Sequence, residues 1–126
     1  MTDKILVVDD EKYIRDMLER FLKMKGYQVL TADNGLSALE AVRDSSPGLV
    51  ILDLEMHKMG GLEFLQVARM SRPNLPVIVL SGSGEGETLE KALTLGASRY
   101  IAKPPDLNDL LKSVELGLSG GMAASP

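Results

Sequence analysis

Short hydrophobic runs recur along the chain, separated by longer stretches in which hydrophobic and polar residues are mixed. Continuous runs cover residues 5–8, 49–52 and 77–80, and a shorter one covers 100–102. Runs without alternation are typical of strands that are buried on both faces. A weaker run at residues 27–32 contains polar side chains, which predicts an edge strand.

Between the runs, hydrophobic residues recur at i, i+3 and i+4, the spacing of an amphipathic helix. The helical stretches cover residues 14–22, 36–43, 61–71, 87–95 and 107–118. Gly26 and Gly96 stand where helices commonly stop. Five βα units predict a parallel sheet with helices on both faces. A ferredoxin-like α+β domain is the alternative, but it needs antiparallel hairpins, and no two runs are joined by a tight turn.

Composition narrows the class of protein. The 126 residues suit one domain. A formal charge of -4 argues against nucleic-acid binding, because phosphate recognition draws on clustered Lys and Arg. The absence of Cys and the single His57 exclude thiolate zinc sites and metal sites with several imidazoles. The first residues indicate neither a signal peptide nor a membrane span, so we expect a cytoplasmic protein without membrane contact.

Polar side chains follow the hydrophobic runs at the ends of the predicted strands. Ligands of open parallel sheets bind outside the carboxyl ends of the strands, so these residues are the candidate site. They are Asp9, Asp10, Glu11, Asp53, Glu55, Ser81 and Lys103.

These residue types together point to phosphoryl chemistry. Three carboxylates, Asp9, Asp10 and Asp53, repel one another unless a cation lies among them, and an all-oxygen site suits Mg²⁺. The Lys103 ammonium and the Ser81 hydroxyl match phosphoryl oxygens. The set predicts phosphoryl transfer onto an aspartate.

Plainer interpretations exist for the single residues. Asp53 could cap a turn or helix, Asp9 and Asp10 could begin the first helix, and Lys103 could be a solvated lysine. Their shared register at one edge favours a joint site. The glycine-rich residues 82–86 lack a dinucleotide fingerprint; we expect Gly82 to leave room for a phosphoryl group and this segment to be mobile.

Five motifs in order resemble one known family, the receiver domain of response regulators in two-component signalling. The resemblance runs from residue 4 to residue 118. The motifs are Val-Val-Asp-Asp-Glu at 7–11, Leu-Val-Ile-Leu-Asp at 49–53 with Met56, Met59 and Gly61 behind it, Val-Leu-Ser-Gly at 79–82, Gly-Ala at 96–97 and Tyr-Ile-Ala-Lys-Pro at 100–104.

The resemblance implies a flavodoxin-like fold with strand order 2-1-3-4-5 and Asp53 as the phospho-acceptor. It implies that Mg²⁺ is held by the carboxylates of Asp9, Asp10 and Asp53 and by the backbone carbonyl of Glu55. It further implies that Ser81 and Lys103 contact the phosphoryl group, and that Ser81 and Tyr100 are the switch residues.

The chain departs from the family pattern at four positions near the site. His57 stands where the family usually has Pro, and Pro105 replaces an apolar residue after Lys103-Pro104. Glu55 and Ser83 lie two residues after Asp53 and Ser81, where they flank the path of water to the phosphoryl group. We expect the Glu55 carboxylate to be free at the rim of the pocket.

The resemblance predicts a phosphorylation-dependent switch rather than a metabolic enzyme, formed by residues 2–118, with 119–126 as a flexible tail or the start of a linker. A histidine kinase or histidine phosphotransfer protein would supply the phosphoryl group, and the domain would catalyse its own phosphorylation and slow dephosphorylation. Whether an output domain or a downstream protein receives the signal, and whether phosphorylation produces a dimer, stays open. The alternatives are a non-phosphorylated pseudo-receiver that acts as an interaction module and, more remotely, a Mg²⁺-dependent phosphatase.

Overall fold

The structure is a computed structural model that describes residues 3–56, 59–82 and 86–120. Five strands alternate with five helices, as the hydrophobic pattern predicts. Their bounds are β1 Lys4–Val8, α1 Lys12–Met24, β2 Gln28–Ala32, α2 Gly35–Ser45, β3 Leu49–Asp53, α3 Gly61–Ser71, β4 Val77–Ser81, α4 Gly86–Thr94, β5 Arg99–Ala102 and α5 Leu107–Leu118.

The strands form one parallel sheet in the order β2-β1-β3-β4-β5, which confirms the flavodoxin-like topology. Alternate residues of each central strand face opposite sides. Leu6 and Val8 of β1 belong to a core with α2, α3 and α4, whereas Ile5 and Val7 belong to a second core with α1 and α5. The sheet is therefore covered on both faces.

The two edge strands differ from the three central ones in burial. β2 is partly exposed, as its polar residues predict. The interpretation of residues 100–102 as a strand buried on both faces is wrong, because β5 forms the other edge and only Ile101 is buried in it. Tyr100 is 39% exposed. Position in the strand order, rather than hydrophobicity, decides this exposure.

The predicted helix stops at Gly26 and Gly96 are confirmed. Their φ angles of +97° and +87° lie in the left-handed region, which glycine adopts without steric cost. The Gly26 N–H donates to the Lys23 carbonyl, and the Gly96 N–H donates to the Leu93 carbonyl, both at 3.0 Å. These turns close α1 and α4.

Several expectations lie outside the described residues: those for His57, for Ser83 and the mobility of the glycine-rich segment, and for most of the tail at 119–126. Over the described ranges, no helix has the length and apolar character needed to cross a bilayer, and the 13-residue α1 is the longest among them.

Candidate functional site

The carboxyl edge of the sheet brings the predicted site residues together. Asp53 and Ser81 are the last residues of β3 and β4, while Asp9 and Lys103 directly follow β1 and β5. Backbone hydrogen bonds continue past the strand ends and fix these positions. Asp9 N–H donates to the Ala32 carbonyl at 3.1 Å, and Lys103 N–H donates to the Ser81 carbonyl at 2.9 Å.

Asp9 and Asp53 are held in the same way. Oδ1 of Asp9 accepts from the Glu11 N–H at 2.9 Å, and Oδ1 of Asp53 accepts from the Glu55 N–H at 3.0 Å. Both residues are fully buried. Among the described residues, neither Oδ2 atom has a hydrogen-bond partner of good geometry. In each aspartate, one oxygen is therefore held by a backbone N–H, and the other is left to ionic contacts.

Lys103 supplies the positive charge of the site. Its Nζ lies 3.1 Å from Asp9 Oδ2, 3.1 Å from Asp53 Oδ2 and 3.2 Å from Glu11 Oε1. Only 15% of the lysine side chain is exposed. Three carboxylates thus contact one ammonium group, and the Asp10 carboxylate lies beside those of Asp9 and Asp53, so the site remains negative.

Burial and charge shift the pKa values of the central pair. Burial of the Asp53 carboxyl, reinforced by the negative charge of Asp9, raises its pKa to about 7 although the Glu55 N–H and Lys103 act in the opposite direction. Burial alone would lower the pKa of Lys103, but the charges of Asp53 and Asp9 outweigh it and hold that pKa above its ordinary value. The lysine therefore stays charged, while the aspartate needs further positive charge to ionise fully at neutral pH.

The same edge fits a hard divalent cation. One carboxylate oxygen from each of Asp9, Asp10 and Asp53 lies within 4.8 Å of the others. The buried Oδ2 atoms of Asp9 and Asp53 already attract the Lys103 ammonium at 3.1 Å, so they face a position that favours positive charge, and all three side chains offer oxygen ligands. This donor chemistry suits Mg²⁺ rather than a metal that prefers thiolate or imidazole.

The expectation that the Glu55 carboxylate is free is wrong. Its Oε1 accepts a hydrogen bond from the Gly82 N–H at 2.7 Å. Gly82 lies just beyond the end of β4 and Glu55 two residues beyond the end of β3, so neighbouring strand ends bring the two groups within reach. The bond spans an open cleft that Asp10 and Lys103 also line.

The two switch candidates occupy different surroundings. Ser81 is buried at the end of β4, and its hydroxyl donates to the Gly82 carbonyl at 3.1 Å. Tyr100 lies on the exposed edge strand and does not line the cleft. Glu11, a candidate from the sequence, lines the cleft and contacts Lys103. Thr88 of α4 also lines the cleft but was not a candidate, because a single threonine in an amphipathic helical pattern carries no signal of a site.

Comparisons with known proteins point to one family. The sequence model of the response regulator receiver domain matches residues 5–115. Sporulation initiation phosphotransferase F of Bacillus subtilis (strain 168) is 36% identical over 115 residues, which cover 91% of this chain and 93% of that protein. The chain spans only between a quarter and about half the length of the other curated relatives compared.

Solved structures agree with the sequence relatives. The receiver domain of NtrX from Brucella abortus superposes with a TM-score of 0.86 at 38% identity, covering 91% of this chain and 98% of that one. A CheY-like response regulator receiver domain protein from Methanospirillum hungatei JF-1 gives a TM-score of 0.91 at 30% identity, covering 95% and 96%. Fold and sequence therefore agree over nearly the whole chain.

Proposed function

The chain belongs to the response-regulator receiver family of phosphorylation-dependent two-component signalling, and on this premise we propose that it accepts a phosphoryl group on Asp53. One observation carries the proposal. The buried Asp53 carboxylate meets the Lys103 ammonium at 3.1 Å, with the carboxylates of Asp9 and Asp10 beside it. This is the set of groups that phosphoryl transfer to an aspartate requires.

The donor is a phosphohistidine on a histidine kinase or a histidine phosphotransfer protein. Transfer breaks the P–N bond of the donor and forms a P–O bond to Asp53. The bonding electrons stay on the imidazole nitrogen, which takes up a proton. Lys103 faces the incoming phosphoryl oxygens and offsets their charge, and the Ser81 hydroxyl is the neighbouring hydrogen-bond donor. The same groups support slow hydrolysis.

The residues that would hold Mg²⁺ are Asp9, Asp10 and Asp53 through their carboxylates and Glu55 through its backbone carbonyl. The three carboxylates support this assignment, because one oxygen of each lies within 4.8 Å of the others. When bound, the ion would neutralise phosphoryl oxygens and favour the ionised form of Asp53.

Output passes through the face formed by α4, β5 and α5. The phosphoryl charge draws Ser81 toward it, and Tyr100, which is exposed on β5, turns inward. The recipient is an output domain, a separate downstream protein or a second copy of the domain. The family match over residues 5–115 and the end of α5 at Leu118 support a receiver unit over residues 2–118, with 119–126 as a tail or the start of a linker.

Intact-protein mass spectrometry tests the acceptor. Wild-type protein incubated with Mg²⁺ and acetyl phosphate should gain one phosphoryl group, and Asp53→Asn should gain none. Asp33→Asn is the matched control, because Asp33 is exposed and follows β2 at the same edge of the sheet. Labelling of Asp53→Asn at the wild-type rate would place the acceptor elsewhere, and an unlabelled wild type would favour the pseudo-receiver.

A further inference from the structure

We propose that the Glu55 carboxylate accepts the hydrogen bond of the Gly82 N–H in the unphosphorylated protein and must release it when a phosphoryl group is attached to Asp53. Phosphorylation would then exchange one anion for another on the same backbone donor. Glu55 would act as a built-in competitor that slows phosphorylation. The inference rests on the proposed function of Asp53.

The contact is short and closely packed. Gly82 N lies 2.7 Å from Glu55 Oε1, a distance typical of a charge-assisted hydrogen bond. A Cβ atom on Gly82 would lie 2.8 Å from the same oxygen, closer than van der Waals contact allows. The absence of a side chain at Gly82 therefore lets an anionic oxygen reach the backbone N–H.

The donor lies in the cleft that a phosphoryl group on Asp53 would enter. Asp53 and Leu80 are register partners on neighbouring strands, and the Leu54 N–H donates to the Leu80 carbonyl at 3.1 Å. The strand end that carries Gly82 is thus fixed beside the acceptor. Gly82, Lys103 and Asp10 line one cleft.

A phosphoryl group on Asp53 would need several donors, because it carries three strong acceptor oxygens. Lys103 and the Ser81 hydroxyl supply two kinds of donor, and the Gly82 N–H is a third that already holds an anionic oxygen in this structure. Glu55 is exposed at the rim of the cleft, so its carboxylate can rotate into water without being buried as an unpaired charge. The exchange is therefore sterically and electrostatically feasible.

Three substitutions at Glu55 separate the effect of its hydrogen bond to the Gly82 N–H from the effect of its negative charge. Glu55→Gln keeps the reach and an acceptor oxygen but removes the charge. Glu55→Asp keeps the charge but is one methylene shorter, and Glu55→Ala removes both. With acetyl phosphate and Mg²⁺, we expect Glu55→Ala and Glu55→Asp to be phosphorylated about tenfold faster than wild type, the effect of losing one charged hydrogen bond at a partly exposed site. Glu55→Gln should fall between wild type and Glu55→Ala.

The alternative outcomes are distinct. If charge alone slows the reaction, Glu55→Gln will match Glu55→Ala and Glu55→Asp will match wild type, which overturns the proposal. The ¹H–¹⁵N signal of the Gly82 amide reports the contact directly in unphosphorylated protein. It should shift and lose protection from hydrogen exchange in Glu55→Asp and Glu55→Ala, and an unchanged amide in both would also overturn the proposal.

Gly82→Ala tests the contact from its other side. Among the described residues, the three atoms nearest to the added methyl group all belong to the flexible end of Glu55, and one of them lies at 2.8 Å, so the methyl group should displace the carboxylate. Its effect on the phosphorylation rate should therefore depend on Glu55 and differ between the wild-type and Glu55→Ala backgrounds. An identical effect in both backgrounds would count against the exchange.

Failure of the proposed function gives a different result. If neither wild type nor any variant gains a phosphoryl group on Asp53, the acceptor assignment falls and the exchange falls with it. If all of them gain it at the same rate, the acceptor assignment stands and only the competition by Glu55 is refuted.

Discussion

Lys103 Nζ lies 3.1 Å from Asp53 Oδ2 although β4 separates the strands that carry the two residues. The same nitrogen lies 3.1 Å from Asp9 Oδ2, which follows β1 on the far side of β3. One ammonium group thus reaches across the carboxyl edge of the sheet and contacts two buried carboxylates. The two carboxylates repel one another when both are ionised, and the ammonium group between them offsets this repulsion. The lysine should therefore contribute to the stability of the fold as well as to phosphoryl chemistry.

Lys103→Met should destabilise the metal-free protein. Methionine keeps most of the aliphatic length but leaves the buried carboxylates of Asp9 and Asp53 without their cation, and breaking such a pair costs on the order of 3 kcal/mol. Urea unfolding in the presence of a chelator measures the loss. Mg²⁺ at millimolar concentration should restore more stability to this variant than it adds to wild type.

Lys112→Met is the matched control, because Lys112 is exposed on α5. We expect it to change the free energy of unfolding by less than about 0.5 kcal/mol. Equal losses in the two lysine variants would mean that the ion pairs of Lys103 add no stability.

The stability gained by Asp53→Asn in metal-free protein should depend on pH. The Asp53 pKa is about 7 in the folded protein against an ordinary value of 3.8. Between these values the folded state keeps a proton that the unfolded chain has lost, so ionisation of Asp53 makes folding less favourable as the pH rises. Asparagine removes this effect.

The melting temperature of Asp53→Asn relative to wild type should therefore rise from pH 4 to about pH 7 and level off above it. The plateau corresponds to a few kcal/mol at most, since one pKa unit is about 1.4 kcal/mol. Lys103 stays protonated throughout this window, because its pKa is raised above its ordinary value. A difference that is constant from pH 4 to pH 8 would contradict the raised pKa.

Arg69 should be irreplaceable by lysine. Its guanidinium donates to four backbone carbonyls: Nε to Leu95 at 2.8 Å, Nη2 to Gly96 at 2.9 Å, and Nη1 to Arg72 at 3.1 Å and Leu75 at 2.7 Å. These bonds join the end of α3 to the end of α4. A compact ammonium cannot reach all four carbonyls, so Arg69→Lys should lower the free energy of unfolding by about 2 kcal/mol.

The same substitution at Arg43 provides the control. Arg43 pairs with Asp44 at 2.8 Å on the surface, where both side chains are well exposed. Such pairs contribute little, and we expect a change below about 0.5 kcal/mol. Hydrogen exchange should also speed up in α4 for Arg69→Lys alone, and matching exchange in the two variants would remove the role assigned to Arg69.

The fold and the centre of the site could be predicted because they depend on local patterns. Buried runs and helical spacing predict the βα order, and parallel strands place Asp9, Asp53 and Lys103 at one edge. The hydrophobic pattern did not predict the edge position of β5. The sequence around Ile101 is compatible both with an edge strand and with a strand that has a neighbour on each side. Its place in the order came from the family resemblance.

Contacts between residues that follow different strands could not be predicted. The bond from Gly82 to Glu55 joins residues 27 positions apart, and the bond from Arg69 to Leu95 joins residues 26 apart. Both bonds depend on how the helices and loops after two different strands pack against one another once the sheet has formed. Sequence showed that Glu55 was unusual for its position, but not which group its carboxylate would contact.

Gly61→Ala should disturb the acceptor itself. A Cβ atom at Gly61, the first residue of α3, would lie 2.6 Å from the Asp53 carbonyl oxygen and 2.9 Å from Leu54 Cα. Both are backbone atoms, so the start of α3 or the end of β3 must move. We expect a loss of roughly 1–3 kcal/mol in the free energy of unfolding, typical of overpacking in a buried site. Gly86→Ala, at the first residue of α4, places its methyl group more than 4 Å from the other residues that the structure describes and should be neutral or stabilising by up to about 1 kcal/mol. Urea unfolding and the rate of phosphorylation by acetyl phosphate, measured for both variants under conditions where each is folded, separate the effects. Folded Gly61→Ala should also be phosphorylated more slowly than wild type because Asp53 is displaced from Lys103, and a wild-type rate would show that the backbone shift is absorbed by α3 alone.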